Sequence, residues 1–337
     1  MHARHDDMYE ACMRYYVQNE TMESIARHLK LSRSSVSRLL AEARSSGMVR
    51  ISVQAPQGSS SPEARYLASI YGIRVHLVAV GNSASIITRF QRVSKLAAAL
   101  LRDSVADGNL IGVAWGTTLS NIVPYLEKRQ LHDATIVQMN GGTNAIDSSG
   151  RHATLILQAI ANNFDAHLMP FLVPAFFDHT DAKKAMWRER SVRIVLDYQS
   201  RIDVAIFGVG SIYSREPSYV YTGGFLDDDE LNQLKSHGVV GDVCTVVLRE
   251  NGTYQDIALN HRASGMTPAE LRRIPKRIAV VADPSRASVL HGALRAGTIT
   301  DLVCDDSTAR ALLDRLDFND RRAGRMYPVD ISGESDH

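Results

Sequence analysis

The sequence predicts an α/β protein with a small helical head: an N-terminal helix-turn-helix (winged-helix-like) domain over residues 1–55, a linker over 56–62, a larger α/β domain over 63–320 and a polar tail over 321–337. Three observations predict this plan. Residues 6–53 read as helices followed by a short strand. The run Pro56-Gln57-Gly58-Ser59-Ser60-Ser61-Pro62 has linker composition. Beyond it, apolar strand-like runs alternate with helical patterns, and runs such as Ile202–Val209 and Ile278–Ala282 are nearly all apolar, as in strands covered on both faces. Alternating strands and helices form parallel sheets.

In order along the chain, a helix is expected over Asp6–Asn19, then two short helices within Met22–Leu40, and a turn and strand over Gly47–Val53. The larger domain is expected to run through Val75–Val80 (strand), Ile86–Ser104 (helix), Leu110–Ala114 (strand), Thr118–Lys128 (helix), Thr135–Met139 (strand) and Thr154–Asn163 (helix). It continues with Val204–Phe207 (strand), Asp229–His237 (helix), Arg277–Ala282 (strand), Ser285–Ala296 (helix) and Asp301–Cys304 (strand), and the chain after Phe318 is expected to fray.

Composition narrows the function classes. With 337 residues, 45% hydrophobic and 22% charged, the chain is an ordinary globular protein of about two domains. A net charge of +1 excludes a uniformly basic coating protein but not a local basic face. No apolar run reaches the roughly 18–20 residues of a membrane helix, so no membrane partner is expected. Cys12, Cys244 and Cys304 are isolated, without a CxxC pair, which argues against a disulfide framework or zinc ribbon and fits a reducing cytoplasm. His76, His132, His152, His167 and His179 lack ligand spacing, and neither a Walker loop nor a full GxGxxG occurs, so neither metal nor cofactor is expected.

The segment Met22–Leu40 carries the first functional reading. Ile25, Leu29, Leu31, Val36 and Leu39 are spaced to face one another on two short helices, and Ala26 permits a close crossing. Ser32 stands where an N-cap belongs. Arg33, Ser34, Ser35, Ser37 and Arg38 then fall on the outer face of the second helix, where short hydroxyls and guanidinium groups can meet base edges and phosphates in a major groove. From Arg27 to Arg50 six cations face one acid, Glu42, a local charge of +5 in a nearly neutral chain. A helical hairpin with a solvated cationic face is the plainer alternative. A DNA reader of this kind touches few bases per copy, so a dimer or higher oligomer on repeated half-sites is expected.

Four strand ends in the larger domain carry the second reading. They are Trp115-Gly116-Thr117-Thr118 after Leu110–Ala114, Asn140-Gly141-Gly142 after Ile136–Met139, Gly208-Val209-Gly210-Ser211 after Ala205–Phe207, and Asp283-Pro284-Ser285-Arg286 after Val280–Ala282. In a parallel sheet such ends share one edge, where ligands bind. Gly116 permits close approach, and Thr117 and Thr118 offer hydroxyls beside free amides suited to a phosphate. Gln138 and Asn140 can read hydroxyl groups. Gly210 lies in a Gly-x-Gly-Ser turn, and Arg286 falls in the first turn of the next helix. Arg262 is a candidate anion partner or a surface cation, Asp242 an ordering residue of a turn, and Tyr219, Tyr221 and Trp187 read as packing. Each loop alone is equally a tight turn.

Over residues 8–317 the chain resembles the SorC-type (sugar-binding, DeoR-like) bacterial transcriptional regulators. The resemblance rests on Ile25-Ala26 through Leu39-Leu40 with Gly47-Met48-Val49, on Gly112–Thr118, Val137–Gly141, Gly208–Ser211 and Gly241–Cys244, and on the spacing of Ile278–Leu313. It implies a Rossmann-like effector domain of the sugar-phosphate isomerase/deaminase type, operator DNA as partner, and dimers or tetramers. It also implies DNA affinity set by a sugar or phosphorylated sugar acting on a carbohydrate-utilisation operon. By motif match, Gly116, Thr117 and Thr118 would hold a phosphate, Gln138, Asn140 and Gly141 would face the sugar, and Arg262 would add a polar partner. Some relatives place near Asn140 a lysine that can bond an aldehyde; Asn140 cannot, so non-covalent binding is expected. The competing reading is a sugar-phosphate isomerase or deaminase with an appended helical module, against which no acid–His pair stands near the loops.

Overall fold

The computed structural model describes residues 2–18, 20–49, 61–81, 84–142 and 149–322, and the chain divides into two compact units, Met1–Ser59 and Ser60–His337. In the first unit α1 (His2–Cys12) passes into a wide helical turn, Met13–Val17, and is followed by α2 (Met22–His28) and α3 (Arg33–Ser45). The helix expected to run unbroken to Asn19 therefore ends early. Thr21 Oγ1 caps α2 by accepting from Ser24 N at 3.2 Å, and Ser32 Oγ caps α3 by accepting from Ser35 N at 3.1 Å. Between the two helices Lys30 takes a left-handed conformation, φ 53°, which closes the turn without a glycine. Met8, Ala11 and Cys12 pack with Ile25, Ala26, Val36, Leu39, Leu40 and Ala43 in one small core. The strand expected over Ile51–Val53 and the linker up to Ser60 lie outside the described residues. Ser61 and Pro62, expected in the linker, instead cap and open a helix.

Among the described residues, the second unit contains ten strands: β1 (Arg74–Val78), β2 (Leu110–Val113), β3 (Thr135–Gln138), β4 (His167–Met169), β5 (Val204–Phe207), β6 (Gly210–Ser211), β7 (Val239–Val243), β8 (Val246–Arg249), β9 (Lys276–Val281) and β10 (Asp301–Asp305). Its helices are α4 (Pro62–Tyr71), α5 (Ile86–Ser104), α6 (Thr117–Ile122), α7 (Ser149–Phe164), α8 (Thr180–Met186), α9 (Arg190–Ser200), α10 (Tyr219–Thr222), α11 (Asp228–Ser236), α12 (Pro268–Leu271), α13 (Ala287–Arg295) and α14 (Asp306–Arg322).

Seven strands form an all-parallel sheet in the order β1-β10-β9-β5-β2-β3-β4. Both faces are covered, and β5 shows why its sequence is apolar throughout. Val204 and Ile206 join the core beneath α5, α6 and α7, whereas Ala205 and Phe207 join the core beneath α4, α13 and α14. On α5, Val93, Ala97 and Leu101 recur every fourth residue and point into that first core. The order places the topological switch between β2 and β5: the chain runs outward from β2 to β3 and β4, then returns to the other side of β2.

The expected helix Thr118–Lys128 stops at Ile122 and passes into a short 3-10 turn, Val123–Tyr125, that contains Pro124. The expected helix Ser285–Ala296 begins later, as α13, after a 3-10 turn over Pro284–Arg286. At the other end α14 continues past Phe318 to Arg322. The sequence pattern also gave no sign of β4, α8, α9 or a second, antiparallel sheet, β6-β7-β8, inserted between β5 and β9. The β7–β8 hairpin turns on Cys244 and Thr245, at φ 50° and 66°. That geometry normally announces itself through Asn or Gly, and here it does not. Among the described residues, no helix is long and apolar enough to cross a membrane, and no group of three or more His, Cys, Asp or Glu could hold a metal.

Candidate functional site

Two of the four strand-end loops, together with Asn140 and Arg286 from the other two, converge on a single pocket at the carboxyl edge of the sheet, beside the switch between β2 and β5. From the end of β2 come Trp115, Gly116, Thr117 and Thr118; from the end of β3, Asn140; from the end of β5, Gly208 and Gly210; and after β9, Arg286. Gly116 has φ 151°, open to glycine and strained for other residues, and this turns the chain so that Thr117 begins α6. Gly210 is required for another reason: a Cβ there would lie 1.9 Å from Asp242 Oδ1.

Six of the nine predicted residues thus line the pocket: Gly116, Thr117, Thr118, Asn140, Gly210 and Arg286. The other three do not, and each has a structural occupation. Gln138 is buried, with Nε2 donating to Asn140 O at 2.8 Å and Oε1 accepting from Phe171 N at 2.9 Å, so its amide is spent on holding the loop after β3. Gly141 packs between the 173–174 backbone and Ser264; its amide donates to Ser264 Oγ and its carbonyl accepts from Trp115 Nε1. Arg262 lies in a different cleft, with Thr180 and Leu259, where it pairs with Glu230 and donates to Phe177 O at 2.8 Å.

The structure adds residues that the sequence reading did not place in the site, Tyr219 having been read as packing and Asp242 as ordering a turn. Asp242, Cys244 and Thr245 reach the pocket from the inserted small sheet and its hairpin turn, and Ser218 and Tyr219 from the start of α10. Their parent segments carry no strand-end motif, and only the fold brings them to this edge. Tyr219, expected to serve only packing, does meet Trp115 and Phe225 edge-on, but its hydroxyl is buried without a hydrogen-bond partner. Asn140 Oδ1 is likewise buried and without a partner. Trp187 does pack, edge-on against Phe171 and Phe177.

Asp242 does more than order its turn. One oxygen accepts from Tyr221 Oη at 2.8 Å and the other from Thr245 N at 3.0 Å. Burial pushes its carboxyl above the ordinary carboxylate range, against the pull of those two bonds, and burial likewise pushes the Tyr221 phenol up. Arg286 is held by Val209 O at 2.7 Å and Ser218 Oγ at 2.9 Å; burial lowers its pKa while Asp283 and Asp242 oppose that shift. Burial, and then the neighbouring Asp242, push the Cys244 thiol well above its ordinary range.

In the first unit α3 buries Val36, Leu39, Leu40 and Ala43 and turns Arg33, Ser34, Ser37 and Arg38 outward. Ser32, Ser34 and Ser35 hydroxyls share hydrogen bonds of 2.8 Å at its start, and Arg33 pairs with Glu23 at 3.1 Å on the exposed surface.

The model of the sugar-binding domain family (Sugar-bind) matches residues 57–314, well over half of the chain. This chain belongs to that family. Among its relatives are the deoxyribonucleoside regulator of Bacillus subtilis (strain 168), 28% identical over 307 residues, covering 91% of this chain and 97% of that one, and the sorbitol operon regulator of Klebsiella pneumoniae, 26% identical over 302 residues, covering 89% and 95%. Among solved structures, this Sugar-bind chain is similar to a domain of a possible sugar-binding transcriptional regulator from Arthrobacter aurescens TC1. That likeness has a TM-score of 0.71 and 38% identity and covers 77% of this chain and all of the other. The full-length sorbitol operon regulator SorC from Klebsiella pneumoniae shares the fold, with a TM-score of 0.72 and 24% identity over 91% of this chain and 97% of that one.

Proposed function

We propose that this SorC-type regulator binds operator DNA through the outer face of α3, in a helix-turn-helix formed by α2 and α3. A sugar or sugar-phosphate effector in the pocket beside the β2–β5 switch controls that binding, and a carbohydrate-utilisation operon is the target. The observation that carries the reading is the pocket itself. It gathers Thr117, Thr118, Asn140 and Tyr219 from three separate segments, and it keeps an amide oxygen and a hydroxyl buried without partners. Buried polar atoms are nearly always bonded, so a polar ligand is the natural complement. The Gly116–Thr118 turn supplies hydroxyls and backbone amides for a phosphate, and the side-chain amide of Asn140 suits sugar hydroxyls. Oligomers on repeated half-sites would supply the grip on DNA that a single short helix lacks.

Catalysis fits less well. Among the described lining residues there is neither His nor Lys, and the one carboxylate, Asp242, already accepts from Tyr221 and Thr245, so a free base to move a carbon-bound proton is lacking. The test is retardation of DNA from the regulator's own upstream region, with and without a panel of sugars and sugar phosphates. The proposal expects retention of the fragment and a change in it with at least one member, without conversion of that compound. Turnover of the compound, or indifference of DNA binding to every member, would overturn it.

A further inference from the structure

Arg33 opens α3, directly after the Ser32 cap, and Glu23 lies in the first turn of α2. The turn between the two helices brings Arg33 Nε to 3.1 Å from Glu23 Oε1. The two side chains are 70% and 59% exposed, so the pair faces water and contributes little to stability. Among the described residues Arg33 has no other side-chain partner. The second outward arginine, Arg38, is met only within its own helix, where it donates to Ser35 Oγ at 3.4 Å.

A carboxylate is unexpected on this surface. Beside it the outer face of α3 presents Arg33, Ser34, Ser37 and Arg38. A duplex brought against that face carries one phosphate charge per roughly 1.7 Å of its axis, which an acid repels. The first turn of a helix does favour an acid through the dipole, but that benefit needs no partner on the next helix. What the position of Glu23 adds is a fixed direction for Arg33. Forked bonding to guanine O6 and N7 requires a guanidinium held in one plane, whereas a free arginine samples many rotamers. The carboxylate meets Arg33 at Nε and leaves the outer edge, formed by the two terminal nitrogens, for such a contact.

We propose that Glu23 is a positioning residue for DNA specificity: it aims Arg33 at one base pair of each half-site and does not itself touch the DNA. The assignment rests on the reading of α3 as the DNA-binding helix and adds the residue that orients one of its base contacts. Its two effects have opposite signs. Through its charge Glu23 weakens binding to any duplex, and through Arg33 it strengthens binding to the correct one. It thereby raises the ratio of specific to non-specific affinity, which decides occupancy when many sites compete.

The test begins with selection of duplexes from a random-sequence pool by the full chain. The selected duplex and a shuffled copy are then titrated by fluorescence anisotropy with wild type, Glu23→Gln, Arg33→Ala and the two changes together. Arg33→Ala is expected to lose at least about fivefold in affinity for the selected duplex, and to lose base preference at one position of each half-site. Glu23→Gln keeps the shape and removes the charge. It should bind the shuffled duplex at least as tightly as wild type, bind the selected one at least about threefold more weakly, and lose preference at the same position. Once Arg33 is Ala, adding Glu23→Gln should no longer weaken the selected duplex. Melting temperatures should match wild type throughout, a readout that a support of the fold would move. Equal gains on both duplexes, or no change on either, would show an acid that only repels phosphates or does nothing, and would overturn the proposal. So would a loss that persists without Arg33, a lowered melting temperature in Glu23→Gln, or undiminished binding by Arg33→Ala. Failure of wild type to select any sequence overturns the DNA reading of α3, and the role of Glu23 with it.

Discussion

Single residues decide the two candidate surfaces in different ways. In the pocket, Gly210 is there to make room: because a Cβ would lie 1.9 Å from Asp242 Oδ1, and that carboxylate is anchored by Tyr221, Gly210→Ala should destabilise the fold by about 1–3 kcal/mol, read from urea denaturation. An unchanged midpoint would mean that the carboxylate can move aside. On α3, Arg33 and Arg38 project outward without supporting the core, so replacing both with Ala should leave thermal unfolding within about 0.5 kcal/mol of wild type. The same change should weaken DNA binding by roughly 1–3 kcal/mol for each base edge no longer bonded, or lower the salt slope by about 1 for each phosphate no longer neutralised, measured by fluorescence anisotropy across a salt series. Residues were legible here when their type announced their task. Ser32 as a cap, Gly116 as a turn and Asn140 as a polar group at a strand end were all readable. Gln138 and Arg262 were misread because an amide and a guanidinium bond backbone carbonyls as readily as ligands, and only packing tells which they meet.

At the scale of elements, α3 depends on its cap. Ser32→Ala removes the acceptor for Ser35 N and should cost about 1 kcal/mol, seen as a lowered melting temperature of the first unit's helical signal; no shift would show that the neighbouring serines replace it. The edge strand β1 is fastened to β10 by Asp301, whose carboxylate accepts from Arg74 at 2.7 Å for both oxygens and meets His76 at 3.2 Å. Burial would raise its pKa, but the bonds from His76, Arg74 and Thr300 outweigh it and hold the carboxyl well below the ordinary range. A depressed carboxyl contributes stability that is fully present above its unfolded pKa, near 3.9, and is lost progressively as pH falls from there through the lower folded value. Denaturant melts at pH 7, 5, 3 and 2 should therefore show little change from pH 7 to 5 and a decline that begins below pH 5 and continues below pH 3, and a smaller one in Arg74→Ala. An identical decline in that variant would remove Arg74 from the account.

For the whole molecule, the proposed regulation requires that the effector favour one DNA-binding state over another, which is a coupling free energy between two sites. Replacing Thr117 and Thr118 with Val should abolish the effector's influence on DNA retardation while leaving affinity for DNA without effector unchanged. A variant that still responds would clear that loop of a role. The family match over residues 57–314 covers the unit that holds the pocket, which is where the metabolite-sensing half of that coupling would reside.

What the sequence determined by itself was local: the parallel α/β class, the positions of most strands and helices, the capped and outward-facing arginine and serine helix, and the loops at the strand ends. Each of these depends on periodicity, turn chemistry or composition within about twenty residues. The tertiary structure alone decided which polar groups are spent and which remain. The hairpin that turns on Cys244 and Thr245, the arrival of Asp242 from the inserted sheet and of Tyr219 from α10, and the removal of Gln138, Gly141 and Arg262 from the pocket all follow from long-range packing. A hydrogen-bonding side chain has many satisfactory partners, and its neighbours become known only when distant segments meet.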